Sequence, residues 1–316
     1  MVKKVLTIPE AGIVITLVLL VFLFWLIEPK FMSVGNIMGM LRALPYTGII
    51  AIGLALCLIS GTIDISVGAT AGLSSVVFSK LVVHDWSMPA AMALSVAVGL
   101  LAGYTNSVAI VRLGVSPFIT TISTLYIFRG LGTMISSGYS VYPLPEEVTR
   151  FGALQPLGIN WPFLIMLAIM VVVAALLTRT VWGMCIRATG SDIDVAKCNE
   201  VDVVVIQTST LVICGGLAAL AGVFITCILG AGQATAGTGY ELIAITGCAI
   251  GGISLFGYHG SMIGLFLGLL TVQVISNGMI VAGIPPYMQS VVVGLILLVS
   301  MIVDVRRRTL LNIEQK

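Results

Sequence analysis

The chain has 316 residues, of which 59% are hydrophobic and 9% charged, with a formal net charge of +2. Soluble domains carry about 25% charged residues, and 15 Lys+Arg with 13 Asp+Glu are too few to cover a globule of this length. With a mean hydropathy of +1.15 the sequence reads as an all-α, multi-pass membrane protein. Disorder, a coiled coil, a secreted disulfide scaffold and a nucleic-acid binder are excluded.

Lys3 and Lys4 precede an apolar run from Ala11 to Ile27. That run is long for a signal peptide and no small-x-small cleavage site follows, so it is expected to be a retained first span. A crossing helix needs about 20 mainly apolar residues. By that measure spans are predicted at 11–28, 42–60, 65–83, 89–111, 117–137, 161–178, 203–229, 240–256, 261–281 and 287–304. Pro, Gly and the few charges mark the breaks, as at Pro29, Gly114, Pro143, Pro145, Gly230 and Pro285-Pro286. Residues 41–83 exceed one crossing, so Gly61-Thr62-Ile63-Asp64 is expected to be a tight turn, with Ser66 capping the next helix. The whole chain, 1–316, reads as a single transmembrane domain of about ten helices.

An even number of crossings puts both termini on one side, and the side richer in Lys and Arg is the cytoplasm. Lys3, Lys4, Arg112, Arg179, Arg187, Lys197, Arg306, Arg307, Arg308 and Lys316 fall on the terminal side. Only Lys30, Arg42, Lys80 and Arg150 fall opposite, so both termini are expected in the cytoplasm. The outer connection 138–160 carries prolines and Glu146-Glu147 and suits a docking surface or a gate. The inner connection 179–202 holds Arg179, Arg187, Asp192, Asp194, Lys197, Glu200 and Asp202, and a soluble partner would have to engage mostly there.

Charges inside a membrane are costly and face protein or water. Arg129, within the fifth span, is read mainly as a structural intramembrane charge, pairing or snorkelling outward, with a role in the transport path as the alternative. Asp64 is suited to accept backbone N–H groups at the break, and Glu241 to favour the start of the eighth span. Asn106, Thr120, Thr121, Ser123, Thr124 and Asn277 either line a path or bond across helices, the second being the more common role. Gly264-x-x-x-Gly268 reads as tight helix packing. Cys57, Cys185, Cys198, Cys214, Cys227 and Cys248 read as small buried hydrophobes; no metal site is expected, and His84 and His259 are far apart. No glycine precedes a lysine, so the chain has no phosphate-binding loop of the G-x-x-x-x-G-K-[ST] type and is not expected to be an enzyme or to hold a cofactor.

Several ordered segments resemble the permease subunits of bacterial ATP-binding-cassette importers for ribose, xylose, galactose and autoinducer-2. Ser60-Gly61-Thr62-Ile63-Asp64-Ile65-Ser66-Val67-Gly68 is similar to that family's Gly-Ile-Asp-Leu-Ser-Val-Gly signature. Val115-Ser116-Pro117-Phe118-Ile119-Thr120-Thr121 resembles its Pro-Phe-Ile-x-Thr motif, and Arg129-Gly130 follows at the family spacing. Ala236-Gly237-Thr238-Gly239-Tyr240-Glu241-Leu242, Gly251-Gly252-x-Ser254-Leu255 and Ser276-Asn277-Gly278 also match, within a likeness running from Phe31 to Asp304.

The resemblance implies a type II, vitamin-B12-importer-like permease of the bacterial inner membrane, paired with a second permease subunit as homo- or heterodimer. It further implies cytoplasmic ATPases that hold the ATP and Mg, and a periplasmic sugar-binding protein that delivers a sugar-like substrate. An inner coupling segment is implied at Arg187, Gly190, Asp192, Asp194, Ala196 and Lys197. There the chain departs from the family's Gly-Gly-Asn-Glu-x-Ala, and Glu200 stands where a glycine is usual. The expected mechanism is alternating access driven through that loop. Asp64, Ser66, Phe118, Thr121, Tyr240, Glu241 and Asn277 are the expected path or gate residues. An ion-coupled secondary sugar transporter is the alternative from another class, with Asp64 or Glu241 at its ion site.

Overall fold

The computed structural model describes residues 11–314 apart from Phe256, and helices are the regular elements throughout. Lys3, Lys4 and Lys316 of the charge argument lie outside the described residues. The long apolar helices are α1 (Ala11–Ile27), α2 (Val34–Ile59), α3 (Val67–Val83), α4 (Met88–Ser107) and α5 (Pro117–Ile135). A short α6 (Glu146–Ala153) precedes α7 (Trp161–Arg179), and two more short helices follow, α8 (Val181–Ser191) and α9 (Ile193–Cys198). The series ends with α10 (Val203–Leu229), α11 (Tyr240–Ile250), α12 (Met262–Val281) and α13 (Pro286–Glu314). Six stretches are long and apolar enough to cross a membrane: α2, α4 with its π-helical extension to Arg112, α5, α7, α10 and α12. The protein is therefore an all-helical, multi-pass membrane protein. α1, α3, α11 and Tyr287–Ile302 of α13 are shorter apolar helices.

Every residue of α2 from Leu44 to Ile59 is buried and nearly all are apolar, which makes it the central helix. α10 packs against α2, α3 and α4, and small residues set the spacing. A Cβ on Gly222 would collide with Ala71 O, one on Gly215 with Gly99 O, and one on Gly53 would come 2.8 Å from Cys214 Cα. The tight packing expected of Gly264 and Gly268 is present: they lie on Gly251 and Gly247, so α11 and α12 touch backbone to backbone. Cys57, Cys214, Cys227 and Cys248 are buried within these contacts, whereas Cys198 is exposed at the end of α9.

Two local expectations are corrected. α2 begins at Val34 rather than 42, because Ser33 Oγ accepts from Asn36 N (3.3 Å) and nothing in Val34–Leu41 stops a helix. α11 stops at Ile250 instead of continuing to 256, where Gly251 and Gly252 (φ 74°) turn the chain. The connections carry helix of their own, α6 within 138–160 and α8 and α9 within 179–202.

Two ends of the bundle are defined by contacts among connections. At the Ile59 end, Tyr258 N donates to Ile59 O (3.0 Å) and Gly190 lies against both. At the opposite end, Asp85, Trp86 and Ser87 share a cleft with Pro145, Glu147 and Val148, and Val141 pairs with Gly232 through two backbone bonds of 2.8 and 3.0 Å.

Candidate functional site

The turn after α2 forms as its sequence suggests. Gly61 takes φ 81°, and Thr62 N donates back to Cys57 O (2.9 Å). The cap differs from expectation. Ser66 makes no side-chain cap; instead Asp64 Oδ1 accepts from Ser66 N (2.8 Å) and Ser66 Oγ (2.6 Å). Asp64 thereby closes a turn on the N–H two residues on, and the Ser66 hydroxyl is spent on Asp64 rather than on the first turn of α3. Asn106 Nδ2, from α4, donates to Asp64 Oδ2 (3.2 Å) and Ser66 Oγ (2.9 Å). Asp64, Ser66 and Asn106 are each no more than 1% exposed. In this turn, outside both helices, burial raises the Asp64 carboxyl above its ordinary range, opposed by the hydrogen bonds from Ser66 and Asn106.

The other sequence-predicted residues are scattered. Thr121 is buried and bonds back to Pro117 O (2.9 Å), whereas Phe118, on the same helix, is exposed. Asn277 on α12 exchanges two bonds with Asn36 on α2 (2.8 and 3.0 Å), a bond across helices of the expected kind. Tyr240 and Glu241 open α11, far along the chain from the Asp64 turn but close to α3.

The segment between α10 and α11 is irregular backbone packed inside the bundle. α10 ends at Gly230, in the left-handed conformation (φ 66°), and residues 231–239 then run beside α3 without helix. Gly232 meets Ser75 and Ser79, Ala234 and Ala236 meet Gly72, and Gly237 with Glu241 meets Gly68. A Cβ at Gly68 or Gly72 would collide with those groups, so the Gly68-x-x-x-Gly72 face is a groove cut for the segment. Such backbone is tolerated at membrane depth only when its polar groups are paired by protein or water. Gln233 N donates to Ser75 Oγ (3.1 Å), and Gly239 N to Glu241 Oε1 (3.2 Å).

Arg129 supplies the remaining clasp. Its Nη1 donates to Ala234 O and to Thr238 Oγ1, both at 2.7 Å, and Thr238 Oγ1 donates to Thr235 O (2.6 Å). Arg129 thus pairs with backbone, in keeping with a structural charge. It is only half-buried, however, and Thr235 and Thr238 are exposed beside it. α5 is itself thinly covered: 22% of its apolar stretch is buried, against 89% for α2. A charge facing hydrocarbon costs about 3 kcal/mol or more, so this face abuts protein or water. Glu241 Oε2, buried behind the segment, has no hydrogen-bond partner among the described residues and attracts Arg129 electrostatically. The sequence did not single out Thr235 or Gly72, and it offered Thr238 only as part of the Ala236–Leu242 motif; the small-x-x-x-small spacing at Gly68 and Gly72, set against the glycine-rich 230–239, was the available signal.

The second assembly is the α8–α9 pair at the Ile59 end. Thr180 Oγ1 caps α8 by accepting from Gly183 N (3.2 Å). Asp192 Oδ1 caps α9 by accepting from Asp194 N (2.9 Å) and Val195 N (3.1 Å). Arg187 Nη2 donates to Gly260 O (3.3 Å), Trp182 Nε1 to Ser209 Oγ (3.0 Å), and Gly190 fits against the end of α2 where a Cβ would strike Ile59 O. Ala196 is buried, so α9 is anchored on one side while Ile193, Asp194, Val195 and Lys197 are exposed on the other. Glu200 adopts φ 61°, the left-handed region that favours glycine.

Comparison with known proteins adds an independent line. Residues 36–301 match the family described as branched-chain amino acid transport system / permease component. The chain is 31% identical over 297 residues to the ribose import permease protein RbsC of Bacillus subtilis, covering 93% of this chain and 92% of that one. It is 30% identical over 306 residues to the autoinducer 2 import system permease protein LsrC of Escherichia coli, covering 96% and 89%. Similarity to the ribose import permease protein RbsC of Escherichia coli is 29% over 303 residues, covering 95% and 94%. No solved structure matches the chain.

Proposed function

The chain belongs to the family of branched-chain amino acid transport system permease components, and from that membership we propose that it is the permease subunit of an ATP-binding-cassette importer. Its cargo is a monosaccharide or sugar-like small molecule, carried across the bacterial inner membrane. The family description names amino acids, but the full-length relatives are ribose and autoinducer 2 permeases, and they set the cargo class. The fold is a ten-crossing, type II permease with both termini cytoplasmic. That parity is supported by the pairing of connections: residues 59–61, 190 and 257–260 meet at one end, and 85–88, 141–148 and 232 at the other.

Energy comes from a separate ATPase that docks on α8–α9, while a second permease subunit and a periplasmic binding protein complete the importer. The observation that carries the docking assignment is α9 itself, capped by Asp192, anchored by Ala196 and presenting Ile193, Val195, Asp194 and Lys197 outward. A rigid element with an exposed mixed surface transmits a partner's movement without catalytic residues of its own.

Co-purification from membranes tests this, with Val195→Asp and Asp194→Arg as variants that spare the Asp192 cap. An ATPase that accompanies the native chain and is lost from Val195→Asp supports both importer and docking helix. An ATPase that accompanies all three leaves the importer standing and removes α9 as the contact. If no ATPase accompanies the native chain and the chain alone carries ribose in vesicles under an ion gradient, the ion-coupled carrier replaces this reading.

A further inference from the structure

Arg129 offers five N–H donors, and Nη1 alone holds the 230–239 segment. The remainder of the guanidinium lies on the open face of α5, next to the exposed Thr235 and Thr238. Tyr126, one turn earlier on the same helix, is 73% exposed. In an otherwise apolar bundle this is a compact group of donors and hydroxyls on a surface that lipid cannot satisfy. Glu241 lies behind the segment and attracts Arg129, and the guanidinium N–H groups left over can donate to neutral hydroxyls. The Thr235 hydroxyl can both donate and accept, Thr238 Oγ1 keeps acceptor capacity, and among the described residues no carboxylate is bonded to either, which keeps contacts weak enough to release a cargo.

Resting on the importer reading above, we propose that Arg129, Thr235 and Thr238 form a hydroxyl-binding step on the translocation surface, a passing contact for a neutral polyol. Thr238 is both contact and clasp, because Arg129 bonds to it; Thr235 contributes a hydroxyl for which the structure records no hydrogen bond, and it is the cleaner probe. Phe118 and Thr121, at the other end of α5, take no part in this step.

The test uses the complete assembly of permease, ATPase and binding protein in proteoliposomes, with ribose and then autoinducer 2 as probes. Thr235→Val, which keeps the side-chain shape, is expected to slow uptake about fivefold, the worth of one hydrogen bond. Its unfolding midpoint and its cargo-free ATP hydrolysis are expected to stay at the native values. Arg129→Lys retains charge but loses the fork, and is expected to slow uptake further. Native uptake in both variants overturns the proposal. Slowed uptake with an equally lowered unfolding midpoint in Thr235→Val also overturns it, because the role is then structural. If the native assembly moves neither probe, the cargo reading itself fails and this step falls with it.

Discussion

Asp64 is 1% exposed, and Ser66 and Asn106 give its carboxylate three donors. Arg129 is half-buried, spends one nitrogen on a backbone segment and keeps the rest of its fork on an open face. Both are charges within an apolar chain, and both lie in segments whose sequence resembles sugar-permease motifs. The difference teaches that a buried charge with all its partners supplied is a fastening, whereas one with donors to spare on an exposed face is available to a ligand.

The comparison is sharpest on a scale of unfolding midpoints. Asp64→Ala strands the Ser66 N–H and the Ser66 hydroxyl in a sealed site, at about 1–3 kcal/mol for each group left unpaired, while the Asn106 amide keeps only its bond to Ser66 Oγ. It is expected to give the largest loss, visible as a lowered midpoint in detergent or as failure to accumulate. A variant that stays stable but stops transporting would move Asp64 to Arg129's side of the comparison. Gly72→Val comes next: the new side chain meets Ala234 O and forces the segment off α3, at about 1–3 kcal/mol of overpacking.

A smaller effect of opposite sign is expected from Glu200→Gly. Relieving an L-residue at φ 61° gains about 1 kcal/mol, read as a slightly raised midpoint with ATPase binding retained. The smallest stability change is expected from Arg129→Gln, where lost charge-assisted bonds of about 1.5–3 kcal/mol are offset by removing a partly buried charge. Its loss shows in transport instead, and an Arg129→Gln protein that unfolds readily would return Arg129 to a purely structural role.

The sequence anticipated parts of the fold that depend on local composition. Apolar runs such as 203–229 and 161–178 are helices with nearly those limits, because in a chain this apolar the backbone must satisfy its own hydrogen bonds. The turn at Gly61–Asp64 was legible from its glycine and carboxylate, and the charged connection 179–202 was legible as a partner surface candidate. Even Glu200 was marked, as a residue in a glycine's place, and the structure gives the reason in its left-handed backbone.

The chain's own letters also determined that this is a multi-pass membrane protein, since 9% charge cannot wrap a soluble core. What they did not determine is which polar residues meet. Asp64 and Ser66 carry the same chemistry whether sealed or open, and only the packing of Asn106 from α4 seals them. Nothing in the sequence tied Thr235 or Thr238 to Arg129 until the groove at Gly68 and Gly72 carried their segment there, with Ala234 and Thr238, the two groups that Arg129 holds, 105 and 109 residues away in the chain. Composition fixes how much polarity a membrane chain contains; only tertiary packing decides which of it is consumed inside and which is left facing outward.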